Sequence, residues 1–296
     1  MNRIPSWPSL CAACLWALAS VAHAGSPAAL LTMLEGSAWV IHGAARSSTP
    51  EGARLEADDF FETAPTTTLA RLEFEDGTVV DLGPSSRVWV SPVWPHASPA
   101  DPAGAAVAYL LQGWAKVSSE QAPLRGRAWL ATPALDVIQM ARGAVVRVQG
   151  QDAEVFAESG DAAVRPRGKR ASTTPLKLGR GQFLSQHGEA AAQVLPRPSA
   201  DFLAAVPRPF MDTLPARRDA FKGKRVSLTP GAPLSYADLQ AWLNAEPRVR
   251  ARLPQRWHAL AQDPAFRRQL AAQLSLHPEW ASVLSPPPSS HTSAQP

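Results

Sequence analysis

Cysteine is almost absent: there are two in 296 residues, and both, Cys11 and Cys14, fall in the first 24. That opening segment has the make-up of a cleavable secretory leader. Arg3 gives a positive start, Leu10–Ala22 an apolar core, and Ala22-His23-Ala24 small residues at the cleavage positions. Neither cysteine follows the Leu-small-small pattern of a lipoprotein anchor. The expected mature chain, cut after Ala24, has no thiol, which excludes disulfides, thiolate nucleophiles and cysteine-ligated metals in the oxidising periplasm to which the leader would direct it. No second apolar run approaches the roughly 20 residues of a bilayer span, so no integral membrane segment is expected after cleavage.

The motifs of common chemistries are missing too. The remaining histidines, His42, His96, His187, His258, His277 and His291, show no ligand spacing and no His-Glu-x-x-His. There is no Gly-x-Ser-x-Gly elbow and no phosphate-cradling glycine loop; Gly179-Arg-Gly181 reads as a turn. Asp58-Asp59 with Glu62 could serve acid/base work or a hard cation, but neighbours on a strand point to opposite faces, and the phrase reads as a turn before a strand. No catalytic residue, metal or cofactor is therefore expected, and the chain is not read as an enzyme.

Charge is unevenly placed. Without Arg3 the mature chain carries 28 basic and 25 acidic residues. Residues 25–163 hold 9 basic and 17 acidic, residues 164–184 hold six basic and no acidic, and residues 200–296 hold 12 and 7. An acidic front with a basic back can join its own halves or meet an anionic surface. Nucleic acid is a poor partner for an exported chain.

What is present is strand pattern. In Thr67–Val90, Ala70, Leu72 and Phe74 alternate with Arg71, Glu73 and Glu75, the period of a strand with one wet face. Asp76-Gly77 suits a tight primed turn that returns Thr78–Leu82 with Val80 and Leu82 buried. Leu30–Gly43 carries a candidate strand pair, and Arg87–Val90 a further strand. Ser91–Gly104, with four prolines, reads as a long exposed loop between two β layers. Short strands resume at Tyr109–Val117, Ala128–Ala131, Leu135–Met140, Gly143–Val148, Glu154–Ala157, Ala162–Val164 and Lys177–Gln186. Such a series without helical period predicts a mainly β fold, a sandwich or rolled antiparallel-rich sheet, over residues 25–195.

Helical pattern begins late. Residues 196–232 read as a proline-spaced linker and 233–284 as a small α-helical module. Ser235 and Asp238 form a capping box ahead of Leu239, Trp242 and Leu243. One phrase then occurs three times, as Pro247…Val249…Leu253, Pro264…Phe266…Leu270 and Pro278…Trp280…Leu284. Each puts proline in the first turn and two apolar residues on one face. Residues 285–296 read as a disordered tail.

Gly36…Val40, Asp59-Phe-Phe-Glu-Thr63, Ala70–Leu82, Ser86–Val90 and Ala131-Thr132-Pro133, in that order, resemble the FecR-domain family of periplasmic modules. The similarity covers roughly residues 30–190. It implies a non-enzymatic recognition, assembly or signalling role through contacts with an envelope protein. The chain departs from the family at Ala141-Arg142-Gly143-Ala144, where members usually carry Gly-Thr, and its leader runs straight into the β region without an anti-sigma segment or membrane span.

The candidate partner-binding residues are Arg165, Arg167, Lys169 and Arg170 in the basic stretch, Trp94 in the proline loop, and Arg142; Arg147 is a further candidate contact. Trp39, Trp89, Trp114 and Trp129 are read as core, as strand tryptophans usually are, and Trp94 as exposed. The four basic residues are read as surface groups whose neutralisation leaves folding untouched. The alternative role is binding of polysaccharide or peptidoglycan through exposed tryptophan and the basic segment.

Overall fold

The computed structural model describes residues 28–92, 94, 105–119, 128–168 and 174–284. The leader, most of the proline loop, Lys169 and Arg170, and the tail lie outside these residues.

The chain forms two sheets that share one long strand, numbered here in chain order. The first sheet runs β4 (Arg54–Leu55), β1 (Ala29–Glu35), β6 (Leu69–Phe74), β7 (Val79–Leu82), the second half of β9 (Ala106–Ser118), β12 (Gly143–Gln149), β13 (Asp152–Ser159), β16 (Phe183–Gln186) and β17 (Gln193–Leu195). The second runs β18 (Thr229–Pro230), β3 (Ala45–Ser48), β2 (Ala38–His42), β5 (Phe60–Thr63), β8 (Arg87–Val90), the first half of β9, β10 (Ala128–Ala131), β11 (Leu135–Met140), β14 (Ala162–Pro166) and β15 (Leu176–Leu178). β10 runs parallel to β9, and the other described pairings are antiparallel. The mainly β reading holds. Leu30–Gly43 is not a strand pair, however: β1 and β2 lie in different sheets.

β9 changes sheets at Gly113, whose φ is +94°. Arg87 lies opposite Gln112 on one side of the change, and Leu82 opposite Ala115 on the other. In the gap between these partners the Trp114 carbonyl accepts from Gly83 N–H at 3.1 Å, and the Trp114 N–H is left without a strand partner on that side. Ser86 Oγ fills the gap, donating to the Trp114 carbonyl at 3.0 Å and accepting from the Trp114 N–H at 3.0 Å. Ser86 is in turn fixed by its own N–H, which donates to Thr63 Oγ1 at 2.8 Å.

Alternation along the strands sorts side chains into an inner core and two outer faces. Leu31, Val40, Phe61, Leu72, Val88, Val117, Val146 and Leu184 meet between the sheets. Parts of both outer faces are then covered by the C-terminal third. The stretch expected to be a linker contains α1 (Ala200–Ala205), capped by Ser199, and two 3₁₀ turns. It lies on the first sheet, where Phe202 and Phe210 pack on Leu69, Trp114, Val145 and Phe183. The chain next passes the edge of the second sheet as β18. It then covers that sheet's outer face with α2 (Tyr236–Leu243), α3 (Pro247–Arg250), α4 (Leu253–Arg256), α5 (Pro264–Ala272) and α6 (Ala281–Leu284). Leu239, Trp242, Val249, Leu253, Trp257, Phe266, Leu270 and Trp280 join Ile41, Phe60, Trp89 and Tyr109 in one cluster. The capping box at Ser235 forms as the residues predict, and Asp263 caps α5, while Glu246 and His277 ahead of the other two prolines make no side-chain cap. The C-terminal third is thus a belt that binds to both sheets.

The belt corrects the reading of Arg71 and Glu73 as a solvated face. Both are buried, as is Asp81 opposite Arg71. Arg71 grips Asp81 through Nε and Nη2 at 2.6 and 2.8 Å, and its Nη1 donates to the carbonyls of Leu214 and Pro215. Glu73 accepts from Thr32 Oγ1 and from the backbone N–H groups of Arg217 and Arg218. The outward row is polar because a segment about 140 residues later docks on it.

The central hairpin forms over β6 and β7, with a different turn. Phe74 N–H donates to the Thr78 carbonyl and Gly77 N–H to the Phe74 carbonyl. The loop is therefore three residues, a type I turn closed by a left-handed Gly77 at φ +79°, in place of the primed two-residue turn. Gly77 carries the same constraint in either turn. Gly77→Val is expected to destabilise the protein by about 1–3 kcal/mol; an unchanged denaturant midpoint would contradict this.

Candidate ligand-binding ledge

One of the expected contact residues, Arg167, meets a buried carboxylate, and a second, Trp94, packs under the Arg248 that shares it. Asp136 on β11 is fully buried; Arg167 Nε donates to its Oδ1 at 3.0 Å and Arg167 Nη2 to its Oδ2. Arg248 from α3 donates to the same Oδ1 at 3.4 Å and to the Thr132 carbonyl at 2.9 Å. Its guanidinium lies 4.3 Å over the Trp94 ring, and Trp94 packs edge-on to Trp89 and Tyr109. Trp94 is therefore buried, at 6% exposure, contrary to expectation. The proline loop delivers it into the aromatic cluster under the belt. Trp39 is the half-buried β tryptophan, stacked by Arg46 at 4.5 Å.

Tyr109 Oη donates to Glu246, which also accepts from Arg248 Nε. Burial and the Glu246 charge hold the Tyr109 phenol well above its usual range, so it stays a donor. Arg165 sits on β14 opposite Asp136 in register. Arg142 is exposed at the turn between β11 and β12. The expectation that the basic stretch is purely superficial thus fails at Arg167, whose charge neutralises Asp136.

The acidic phrase also supports the belt. Asp58 accepts from Trp89 Nε1 at 3.1 Å, and Glu62 from Trp242 Nε1 at 2.8 Å. Asp59 accepts from Glu56 N–H and pairs with His42 at 2.7 Å. Burial nevertheless raises the Asp59 pKa, because desolvation outweighs these partners.

An open polar concavity lies elsewhere, on the outer face of the first sheet beside the start of α1. Cross-strand register lays side chains there in rows. Val145, Phe156, Phe183 and Leu195 form an apolar row across β12, β13, β16 and β17, and Phe202 of α1 packs on it. The next row outward is polar: Arg147, Glu154, Ser185 and Gln193. Gln149, Asp152 and His187 follow. With Ser199 and Asp201 these line a groove of about 520 Å³.

The groups on this ledge hold one another. Arg147 lies 3.6 Å from Glu154 and stacks 5.1 Å over Trp114. Desolvation raises the Glu154 pKa, and Arg147 and His187 only partly offset it. His187 Nδ1 is 3.2 Å from Asp152 Oδ2, His187 Nε2 is 3.0 Å from Ser185 Oγ, and Gly188 N–H donates to Asp152 Oδ1 at 2.8 Å. That is the atom order of a hydroxyl–imidazole–carboxylate relay. The His187 and Asp152 side chains are 68% and 49% exposed, however, so water competes for each bond. A hydrolytic relay works in a water-excluded site with preorganised donors. The ledge instead offers exposed, pre-aligned hydrogen-bonding groups.

Among the expected contacts that lie in the described residues, only Arg147 belongs to this ledge. Its polar residues do repeat at every second position on their strands, as the sequence allows one to read. Which strands stand side by side is not visible there, since β13 pairs with β16 across about 30 residues.

No family model and no curated protein matches this chain. It is similar to two crystal structures, at 2.50 and 1.65 Å resolution, of a candidate anti-sigma factor from Parabacteroides distasonis ATCC 8503. Each shares 14% identity with a TM-score of 0.34 and covers 49% of this chain. The chain spans 62% and 63% of the length of those two structures, respectively.

Proposed function

We propose that this protein is an exported, FecR-like periplasmic module that recognises another envelope protein by non-covalent contacts, in an assembly or signalling role. The observation that carries this reading is the state of its polar groups. Buried groups such as Arg71, Glu73, Glu62 and Asp136 bind the belt to the two sheets, and the hydroxyl–imidazole–carboxylate set stands in water, suited to reversible hydrogen bonding. Among the described residues no helix is long and apolar enough to cross a membrane. On this reading the basic stretch, Arg165, Lys169 and Arg170, is the contact for an acidic protein partner.

Crosslinked pull-down from intact cells tests this. The recovered bait should begin at Gly25 and bring down an envelope protein. Neutralising Arg165, Lys169 and Arg170 should weaken capture, and added salt should weaken wild type in parallel, because exposed charges are screened over about 10 Å at 0.1 M. Capture unaffected by both would contradict the basic stretch as the contact. Covalent labelling of Ser185 by a fluorophosphonate would contradict the non-covalent role.

A further inference from the structure

We infer that the ledge on β12, β13, β16 and β17 is a binding site for a neutral oligosaccharide. This goes beyond the protein-partner reading and does not depend on it.

The chemistry of the rows selects the ligand. Glu154, Asp152, Gln149 and Gln193 are planar groups that can each engage two neighbouring hydroxyls, and Ser185 and the amides can donate as well as accept. Vicinal diols present donors and acceptors side by side, as such a surface requires. Glu154 is partly desolvated, which raises its pKa even with Arg147 at 3.6 Å, and its carboxylate can take a further donor from a ligand hydroxyl. Arg147 faces Glu154, and Asp152 faces His187, so the rows hold little uncommitted positive charge for an anionic ligand. Asp201 at the rim adds a further negative charge. Asp152 is held by His187 and Gly188 N–H and Glu154 by Arg147, so these carboxylates do not converge on a metal; among the described residues no acid and histidine cluster fits one.

The shape agrees with a short chain of sugars. The polar row crosses four strands, about 14 Å at the usual strand spacing. It is bordered along its length by the apolar row, where Leu195 is partly exposed and can meet the C–H face of a ring. The other end of the face is closed by α1, so the groove is open to solvent on its polar side.

Titration of the full chain with chitotetraose, maltotetraose and cellotetraose, followed by backbone amide NMR shifts, tests this. At least one of these neutral tetrasaccharides is expected to shift Gln149, Glu154, Ser185 and Gln193, with little change on adding salt. Glu154→Gln should weaken binding about tenfold, the effect of losing one charge-assisted hydrogen bond. Ser185→Ala, an exposed-face change that leaves the melting temperature in place, should weaken it less. No shift with any of the three at millimolar concentration, or shifts that both variants leave unchanged, would overturn the inference. Envelope-protein capture by Glu154→Gln should equal that of wild type, which separates failure at the ledge from failure of the partner reading.

Discussion

Gly113→Ala is expected to destabilise the protein by about 2–6 kcal/mol, much of the 5–15 kcal/mol that holds a typical domain folded. Two effects combine. A residue with a Cβ at φ +94° is strained by about 1–3 kcal/mol. The new Cβ would also sit 2.5 Å from Ser86 Cα and Oγ, and forcing extra atoms into a packed site adds about 1–3 kcal/mol. Relief would mean moving Ser86, whose hydroxyl satisfies the backbone of Trp114 where β9 leaves one sheet for the other. Gly150→Ala is the control. Gly150 has φ +61° with nothing within 4 Å of the added Cβ, so it should show the backbone strain alone. Equal denaturant midpoints for the two variants would mean that the β9 crossing is not the tight junction described.

Asp81→Ala should destabilise by about 3–5 kcal/mol, the usual result of removing one partner of a buried pair. Arg71 would stay beneath the belt with its charge uncompensated, both partners being about 5% exposed in the native pair. The loss should also loosen residues 214–218, because Arg71 holds the carbonyls of Leu214 and Pro215. Glu75→Ala in the loop of the same hairpin is the comparison. Glu75 is 56% exposed and meets Arg218 at 3.5 Å, so its removal should change stability by under about 1 kcal/mol. Similar losses for the two would place Asp81 at the surface and return the Arg71 row to solvent.

Local pattern was enough to read most of the strands, the position of the central turn and the caps at Ser235 and Asp263, because each depends on neighbours within a few residues, but not the short edge strands Ala45–Ser48, Gln193–Leu195 and Thr229–Pro230. Ser235, Asp263 and the three repeated prolines act at helix starts wherever the helices dock. What the pattern could not reach was set by distant partners. Arg71, Glu73 and Glu75 look alike as an outward row; two of them are buried only because residues 214–218 come to lie on them. Trp94 looks exposed among prolines until Arg248 is placed over it. Asp58, Asp59 and Glu62 look like a possible site until Trp89, His42 and Trp242 are seen to use them. The ledge was hidden for the same reason: Arg147, Glu154, Ser185 and Gln193 become a row only through the pairing of four strands.

The central claim is that the C-terminal belt and the two sheets form one cooperative body. Native-state hydrogen exchange on the full chain tests it most directly. Amides in Tyr236–Leu243 and Pro264–Ala272 should open with the same free energy as those in Phe60–Thr63 and Leu69–Phe74, and all should shift together in Asp81→Ala. Exchange of the helical amides at far lower protection, unmoved by that substitution, would show a separate module resting on the sheets and would contradict the account.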